Sequence, residues 1–249
     1  MRLDVAVVPS EAASWDDMVI IMVDVIRTST TVVTLLDRGC RHVYPVSDSR
    51  HALDLAAQCG FVTIGERDGE ILPGFDFNNS PRQLLSSAHI RSRDVILSTT
   101  NGTMVLQKIV PGSKNTVLIG AAVNATACAR SAVAMCLAGG RDMGLLCAGR
   151  NGRLATDDVV CAGLLVEKLT ACAQGTVIEY SDGARAAAQL YHAYSSLLDA
   201  FTVSESGSIL KRLGEEADIE LCARTDVSRT VPVVAACPEA AGLRLSSHG

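Results

Sequence analysis

The sequence predicts an α/β fold with three layers (α/β/α), in which helices cover both faces of a mostly parallel or mixed sheet, followed by a helical C-terminal part. Short runs rich in Val and Ile alternate with longer segments of helical periodicity, which is the pattern of strands joined by crossover helices. The 249 residues are 48% hydrophobic but only 4% aromatic, a composition that suits strands and helices in close packing.

Eight short apolar runs are predicted to be strands because they are rich in β-branched residues. They are Leu3–Val8, Val19–Val23, His42–Val46, Val62–Ile64, Asp94–Ser98, Thr116–Ile119, Met143–Cys147 and Thr176–Tyr180. The segment TVPVV, which begins at Thr230, is a candidate for a late strand.

Helical patterns separate these strands, and residues that favour helix termini flank them. The first follows Asp48, a predicted N-cap, and ends at Gly60. The second is predicted to be capped by Asn124 and to stop at Gly139. The third is predicted to be capped by Thr156 and carries acidic residues in its first turn.

The C-terminal part and the absence of a linker bear on the number of domains. After about Ser181, the segments DGARAAAQLYHAYSSLLDAF and SESGSILKRLGEEADIELC predict consecutive helices. No Pro- or Ser-rich linker and no internal repeat interrupts the chain. Residues 1–249 are therefore predicted to form a single compact unit, although a boundary within residues 110–125 is also compatible with this length.

Charge and cysteine content exclude several classes of protein. The net charge is −5 and no Lys/Arg-rich run occurs, which argues against a nucleic-acid partner. The N-terminus has no signal-peptide core, and no apolar run reaches the roughly 18–20 residues that span a bilayer. Nine scattered cysteines without a CxxC pair indicate buried thiols in a reducing cytosol rather than a zinc site. We expect a cytoplasmic protein without a membrane partner, and a homo-oligomer is compatible with these features.

Polar residues gather after five of the predicted strands, whereas the opposite strand ends carry few of them. Ligands of open α/β sheets bind beyond the carboxyl ends of the strands. This asymmetry predicts one site built from several loops. The segments are VDVIRTSTT from Val23, GERDGEILPGFDFNNSP from Gly65, STTNGT from Ser98, GAAVNAT from Gly120 and AGRNGRLATDD from Ala148.

The acids in these segments indicate a hard metal ion, and the other polar residues indicate a bound anion. Asp24, Glu66 and Asp158 have oxygen-rich neighbours and no nearby His or Cys, which suits Mg²⁺. Arginines and hydroxyl-rich turns suit a phosphate or sulfonate, and together with a metal they suit phosphoryl transfer. Asp24 and Arg27 are the predicted catalytic residues. The predicted substrate-binding positions are Thr28, Ser29, Thr30, Arg67, Asn79, Ser80, Thr99, Thr100, Asn101, Gly102, Thr103, Asn124 and Arg150.

Several of these residues also have a purely structural interpretation. Ser80 followed by Pro81 has the sequence of a helix start, and STTNGT is equally compatible with a turn that enters a helix. Asp158 and its neighbour Asp157 are suited to the positive end of a helix dipole. Asp24 and Arg27 are also compatible with a buried structural ion pair.

Other phosphoryl-transfer signatures are absent or incomplete in this sequence. There is no GxxxxGK[ST] and no GxGxxG after a strand. The strand-end Asp24 is like that of haloacid-dehalogenase-type phosphatases, but Ile26 stands where that family has a second acid. Cys147 and Arg153 fit C-x5-R, the pattern of cysteine-dependent phosphatases, but Leu154 follows the arginine where Ser or Thr is usual. A nucleophilic Cys147 remains an alternative.

As a set, these segments resemble one family, the Mg²⁺-dependent 2-phosphosulfolactate phosphatases of coenzyme M biosynthesis. Ser206 departs from the family pattern, in which a His is expected at this position, and this puts substrate preference or rate in doubt. The segments that carry the resemblance occur in the family's order and span nearly the whole chain: VDVIRTSTT, GERDGEILPGFDFNNSP, STTNGT, IGAAVNA, CAGRNGRLATDDVVCAG, SDGARAA, SESG and DVSRTVPVV.

The resemblance implies hydrolysis of 2-phospho-3-sulfolactate to 3-sulfolactate and phosphate. In this interpretation Asp24, Glu66 and Asp158 hold Mg²⁺ or orient its waters, and Arg27 polarises the phosphoryl group. Asp24 is alternatively the nucleophile. A phosphatase for another small anionic phosphomonoester, and a non-catalytic protein that binds a small anion with the same loops, are the competing functions.

Overall fold

The computed structural model describes residues 1–109, 114–237 and 242–247. Within these residues, eleven strands form one sheet. In chain order the strands are β1 (Arg2–Ala6), β2 (Val19–Val23), β3 (His42–Pro45), β4 (Val62–Arg67), β5 (Glu70–Ile71), β6 (Asp94–Ser98), β7 (Thr116–Ile119), β8 (Met143–Cys147), β9 (Glu179–Tyr180), β10 (Pro232–Cys237) and β11 (Gly242–Ser247).

Ten α-helices connect or follow the strands in the described part of the chain. Short 3₁₀ turns at Pro9–Ala12, Ala88–Ile90 and Ala122–Asn124 supplement them. The helices are α1 (Thr28–Asp37), α2 (Ser49–Cys59), α3 (Pro81–Leu84), α4 (Gly102–Ile109), α5 (Ala125–Gly139), α6 (Thr156–Cys172), α7 (Asp182–Ala193), α8 (Leu197–Val203), α9 (Glu205–Arg212) and α10 (Glu216–Cys222).

The sheet is mixed, as predicted, and the fold is consistent with three α/β/α layers. Its order is β5-β4-β6-β3-β11-β10-β7-β2-β8-β1-β9. Strands β3, β4 and β6 pair in parallel in one part, and β7, β2, β8, β1 and β9 pair in parallel in the other. The antiparallel hairpin of β10 and β11 lies between them and pairs with β7 on one side and β3 on the other. The C-terminal strands therefore join the two parallel parts.

The eight predicted strands are confirmed, and four of them have the predicted bounds. The last one is shorter than predicted, because only Glu179–Tyr180 pairs with β1. Strand β4 runs further than predicted, to Arg67, because its last two residues pair with β5 in a tight hairpin. The late strand predicted at TVPVV is confirmed as β10, whereas β5 and β11 were not predicted.

Two predicted helix caps differ in the structure, and two are confirmed. The side chains of Asp48 and Ser80 accept hydrogen bonds from the backbone of their first helical turns. Asn124 stands at the N-cap position of α5, but its side chain does not cap that helix. Thr156 is the first residue of α6, so the cap position belongs to Ala155, which has no capping side chain. The predicted C-terminal helical segments form four helices, α7 to α10.

Alternating residues of the central strand β2 serve two different cores. Val19, Ile21 and Val23 belong to the core beneath α5, α6 and α7. Ile20 and Met22 point to the opposite face and belong to the core that α1 and α4 cover. All five residues are buried, as expected for a strand covered on both faces.

The sheet is curved, and the curvature brings distant strand ends together. Strands β6 and β2 are five positions apart in the sheet, which is about 24 Å along a flat sheet with strands ~4.8 Å apart. Yet the hydroxyls of Thr28, after β2, and Thr99, after β6, lie 3.2 Å apart. The carboxyl ends of the two parallel parts therefore meet on one side of the molecule.

One helical window, Ala122–Gly139, has the length and mean hydropathy (1.2) of a membrane span, but half of it is buried inside this fold. Its buried hydrophobic residues belong to the core beneath α5 and α6, so packing explains its composition. The boundary considered within residues 110–125 stays a prediction, and residues 110–113 of that range lie outside the described residues.

Candidate active site at the carboxyl edge of the sheet

A small polar cavity lies where the ends of β2, β4, β6 and β8 converge. Its volume is about 30 Å³, which is small for a ligand pocket. Both acidic and basic side chains line it, and so does part of helix α9. The lining residues are Asp24, Ile26, Arg27, Thr28, Glu66, Gly69, Asn79, Thr100, Asn101, Arg150, Ser206, Ile209 and Leu210.

Asp24 follows β2 and is held between the N-termini of two helices. Its carboxylate accepts hydrogen bonds from the backbone N–H groups of Thr28, where α1 begins, and Gly102, where α4 begins. Helix N-termini favour negative charge, so both helices stabilise the carboxylate. A Cβ atom at position 102 would lie 2.6 Å from Asp24 Oδ2, which explains why glycine occupies the first position of α4.

The pKa of Asp24 is nevertheless raised, to about 6. The largest cause is burial, which removes the ionised carboxylate from water, and the negative charge of Glu66 raises the pKa further. Hydrogen bonds from Thr28 and Gly102 oppose this rise and only partly offset it. The site therefore contains a carboxylate whose charge the protein compensates incompletely.

Glu66 lies near the end of β4 and is fixed by three hydrogen bonds. Its carboxylate accepts from the backbone N–H groups of Gly69 (2.9 Å) and Thr100 (2.7 Å), and from the Thr100 hydroxyl (3.2 Å). The contact with Thr100 joins β4 to the start of α4. Glu66 is thus held in place by its hydrogen bonds and lines the same cavity as Asp24.

Asp158 and Asp157, at the start of α6, form a second pair of buried acids. Asp158 accepts from the backbone N–H groups of Val25 (2.9 Å) and Gly149 (3.0 Å), so it links the turn after β2 to the loop after β8. Burial and the charges of Asp157 and Asp24 raise the pKa of Asp158 well above its usual range. Burial also raises the pKa of Asp157, to about 6.

Asp158 does not line the cavity, and each of its two oxygens accepts from one of these backbone groups. One carboxylate oxygen of Asp157, Oδ1, is buried and has no hydrogen-bond partner among the described residues. The structure therefore places Asp158 beside the site as a support for two loops, and Asp24 and Glu66 at the cavity itself.

Arg27 is buried and pairs with acids from the C-terminal helices. Its guanidinium donates to Glu215, to Asp218 Oδ2 (2.8 Å) and to the backbone oxygen of Gly69 (2.9 Å). The described ion pairs include no Asp24–Arg27 pair. Asp218 also accepts from the Ser80 hydroxyl and from the backbone N–H of Arg82, so it ties α10 to α3 and to the turn before α1.

Arg150 lies in the loop after β8 and pairs with two acids on the surface. Its guanidinium contacts Asp68 (2.7 Å), in the β4–β5 turn, and Glu205 (3.0 Å), at the start of α9. The same loop is tied to α4, because the backbone N–H of Asn151 donates to Asn101 Oδ1 (3.1 Å).

The side chains of Arg67 and Asn124, both predicted to bind substrate, lie outside the cavity and have partners elsewhere in the fold. Arg67 donates to the backbone oxygens of Glu66 and Ser47 and to the Ser98 hydroxyl. Asn124 accepts from the backbone N–H of Ala121 and donates to the backbone oxygens of Ile119 and Thr230, so it joins the end of β7 to the segment before β10.

The remaining predicted residues divide between the cavity and its supports. Thr28, Asn79, Thr100 and Asn101 line the cavity. The others hold the surrounding turns. The Ser29 hydroxyl accepts from the backbone N–H of Asp24, and the Thr30 hydroxyl donates to the backbone oxygen of Val25. The hydroxyls of Thr99 and Thr103 each accept from the backbone N–H of the other residue, Ser80 donates to Asp218, and Gly102 donates its backbone N–H to Asp24.

The donors at the cavity suit a hard divalent cation. Within residues 1–109, 114–237 and 242–247, no group of three or more His, Cys, Asp or Glu side chains has the arrangement of a metal site. Magnesium, however, commonly uses one or two carboxylates and completes its shell with water and substrate oxygens. Asp24 and Glu66 supply two carboxylates, and Asn79 adds a buried amide oxygen that has no partner in the described part of the chain.

Cys147 does not have the properties of a nucleophile. Its side chain is fully buried at the end of β8. Burial and the nearby charge of Asp158 raise the pKa of the thiol well above its usual range, whereas reactive cysteines have a lowered pKa. The structure therefore disfavours the cysteine-dependent mechanism.

Several residues of the site were not predicted from the sequence. Glu215 and Asp218 lie 188 and 191 residues from Arg27 in the chain. No local sequence pattern predicts that they form ion pairs with it. Asp68 lies in a polar segment after a predicted strand and Ser206 departs from the family pattern, but neither is among the predicted site residues. The sequence did contain a signal for Asp218. It is an acid on the apolar side of a helical segment, which indicates a buried carboxylate with a partner.

Comparison with known proteins gives a consistent result over almost the whole chain. Residues 6–236 match a family profile described as 2-phosphosulpholactate phosphatase. A relative from Thermus thermophilus is 38% identical over 234 residues, which cover 94% of each chain. A relative from Deinococcus radiodurans is 34% identical over 94% of this chain and 93% of its own. Both are named probable 2-phosphosulfolactate phosphatase.

Removal of the buried carboxylate of Asp218 should destabilise the fold strongly. Asp218→Ala leaves the Arg27 guanidinium partly uncompensated and removes an acceptor from Ser80 and Arg82. We expect the free energy of unfolding to fall by about 3–5 kcal/mol, measured by urea denaturation. The exposed Glu216, on the same helix, is the control, and Glu216→Ala should cost less than about 0.5 kcal/mol. Equal effects of the two substitutions would contradict the role of Asp218.

The stability of the metal-free protein should depend on the ionisation of Asp24. Its pKa is about 6 in the folded state and 3.8 ordinarily, so the folded state holds the proton more tightly than the unfolded state. This contribution to stability is fully present below about pH 4 and is lost as the pH rises through about 6. In EDTA, the decrease in unfolding free energy from pH 5 to pH 7 should be about 1 kcal/mol smaller in Asp24→Asn than in the wild type. Parallel pH profiles would show that Asp24 titrates normally.

Proposed function

The chain belongs to the 2-phosphosulfolactate phosphatase family, and we propose that it is a Mg²⁺-dependent phosphatase that hydrolyses 2-phospho-3-sulfolactate to 3-sulfolactate and phosphate. The matched segments cover 94% and 93% of the two relatives, so the similarity on which the proposal rests extends over nearly their full length. A role in coenzyme M biosynthesis and a cytoplasmic location are further parts of the proposal, which rest on the resemblance and on composition.

The observation that carries the proposal is the pair of buried carboxylates, Asp24 and Glu66, at one cavity that also has arginines in its lining. The two carboxylates repel each other, and this repulsion contributes to the raised pKa of Asp24. A phosphoryl group adds further negative charge and would be repelled as well. Asp24 and Glu66 would be able to hold a cation, whose charge would offset both repulsions.

Magnesium, when bound, would neutralise charge on the phosphoryl oxygens and orient the reacting groups. Asp24, Glu66 and Asn79 are the residues that we propose to hold it. Asp158, which was predicted as a third carboxylate ligand, has both oxygens engaged with backbone N–H groups. We therefore propose that it positions the turn that carries Asp24.

Arg27 is suited to hold a phosphoryl oxygen while it stays fixed by its acids. A guanidinium has five N–H donors, and the three described contacts with Glu215, Asp218 and Gly69 use three of them. The other two N–H groups have no hydrogen-bond partner among the described contacts, and Arg27 lines the cavity. Because the acids fix the guanidinium before the substrate binds, little side-chain entropy is lost on binding.

In the overall reaction, a water oxygen forms a bond to phosphorus, and the bond from phosphorus to the C2 oxygen of sulfolactate breaks. The departing oxygen takes a proton and becomes the hydroxyl of 3-sulfolactate. Asp24 has two alternative roles in this reaction. As a metal ligand it stays ionised throughout; as a nucleophile it first takes the phosphoryl group, and water then cleaves the acyl phosphate.

The direct test is phosphate release from 2-phosphosulfolactate and from a panel of simple phosphomonoesters, with Mg²⁺ and with EDTA. We expect turnover with Mg²⁺, a loss of at least 100-fold in EDTA (roughly 3 kcal/mol in the barrier), and preference for 2-phosphosulfolactate. Preference for another small phosphomonoester would reassign the substrate. Anion binding without turnover would indicate a non-catalytic protein, and full activity in EDTA would contradict metal dependence.

Asp24→Asn should abolish this activity while the fold survives. The amide keeps the shape of the side chain but cannot balance a metal charge or attack phosphorus, so we expect kcat to fall by about 1,000-fold or more. Cys147→Ser serves as the control and should retain activity, because the thiol is buried and protonated. Activity of Asp24→Asn close to that of the wild type would remove Asp24 from the mechanism. Circular dichroism checks that both variants are folded.

A further inference from the structure

Arg150 differs from the other arginine of the cavity in the acids that hold it. Arg27 is bound by acids that are themselves shielded: Asp218 is 1% exposed and Glu215 29%. Arg150 is 14% exposed, but its partners Asp68 and Glu205 are 77% and 73% exposed. Arg27 is therefore a fixed part of the interior, whereas Arg150 stands at the mouth of the cavity and is held from the solvent side.

The partners of Arg150 are readily exchanged for another anion. Ion pairs with solvent-exposed carboxylates contribute little to stability, because water and salt compete with them. A guanidinium binds a carboxylate, a phosphate or a sulfonate oxygen through the same N–H fork. An anion delivered to the mouth by a bound substrate would compete with Asp68 and Glu205 at a high effective concentration.

The size of the cavity places part of the substrate at this mouth. At about 30 Å³, the cavity is too small to enclose a whole substrate, because ligand pockets usually have volumes of about 300–1,000 Å³. A substrate that directs its phosphoryl group towards Asp24 and Glu66 must therefore extend outward past the lining. Arg150 lines the cavity, and both of its ion-pair partners are largely exposed to solvent.

We propose that Arg150 selects substrates that carry a second anionic group, a sulfonate or a carboxylate, and that Asp68 and Glu205 act as internal competitors that occupy it until the substrate arrives. This inference rests on the proposed function for the identity of the substrate. It adds a specificity residue for the non-reacting end and assigns a role to two surface acids. Substrates without a second anion leave Arg150 with its acids and gain nothing from it.

The kinetic test uses Arg150→Gln with three phosphomonoesters: 2-phosphosulfolactate, 2-phospholactate, which lacks the sulfonate, and ethyl phosphate, which lacks both additional anions. We expect kcat/KM for 2-phosphosulfolactate to fall by about 30-fold or more and that for ethyl phosphate to stay within threefold. A fall for 2-phospholactate assigns Arg150 to the carboxylate, and no fall assigns it to the sulfonate. An equal fall for all three would place Arg150 on the phosphoryl group and overturn the inference.

The competitor role is tested by binding, which needs no turnover. In the double variant Asp68→Asn/Glu205→Gln, calorimetry should show 3-sulfolactate bound about threefold to tenfold more tightly than by the wild type. The affinity for inorganic phosphate should stay within twofold. Arg150→Gln should lose 3-sulfolactate binding, and Arg150→Lys, which keeps the charge but not the fork, should lose part of it.

Glu70→Gln is the matched control for the loss of negative charge. Glu70 is exposed on β5, two residues from Asp68, and forms no ion pair in the described part of the chain. It should leave the affinity for 3-sulfolactate within twofold. An equal gain in Glu70→Gln and the double variant would show a general charge effect and contradict the competitor role.

The outcomes separate this inference from the proposed function. If the wild type releases no phosphate from 2-phosphosulfolactate, the proposed function fails, while the affinities for 3-sulfolactate still decide the role of Arg150. If the double variant binds 3-sulfolactate no more tightly than the wild type, or neither protein binds it, the inference is wrong even where the phosphatase activity is confirmed.

Discussion

The burial of several carboxylates at one edge of the sheet is the constraint on which the site depends. Asp24, Glu66, Asp157 and Asp158 are almost completely removed from water, and burial and mutual repulsion raise the pKa of three of them. Backbone N–H groups at helix starts and turns hold these acids in place. Arg27, the buried cation nearby, is paired with other acids. The edge therefore has negative charge that a proton or a metal ion can balance, and this excess explains why an acidic protein can serve an anionic substrate.

The curved sheet is what brings this charge together. Asp24 follows β2 and Glu66 ends β4, six positions away in the strand order, so a flat sheet would separate them by nearly 30 Å. The β10–β11 hairpin joins the two parallel parts, and the helices that follow β2 and β6 direct their N-termini at the same carboxylate. Helix α9 adds Ser206 to the lining of the cavity. Glu215, just before α10, and Asp218, within it, hold Arg27.

Local patterns in the sequence predicted the parts of this arrangement that local physics determines. The apolar run of β2 and the polar residues after it placed Asp24 at the sheet edge, and Ser80 followed by Pro81 marked a helix start. The contacts of Arg27 could not be predicted, because they depend on how C-terminal helices pack against a turn nearly 190 residues away. Asp158 and Arg67 have the residue types of ligands, but neighbouring backbone groups engage them, and only the folded chain shows this. Strand β11 has alternating buried residues, Leu243 and Leu245. This alternation is typical of a strand, but it was too short to predict one from the sequence.

The central claim, that Asp24 and Glu66 together bind a divalent cation, is tested most directly by crystals grown with Mn²⁺ in place of Mg²⁺. Anomalous scattering locates the metal without reference to activity. The account predicts one strong peak in the cavity, within about 2.0–2.4 Å of a carboxylate oxygen of Asp24 and of Glu66, which disappears in Glu66→Gln crystals. A catalytically active protein whose metal lies at other residues, or whose cavity stays without a peak at saturating Mn²⁺, would contradict it.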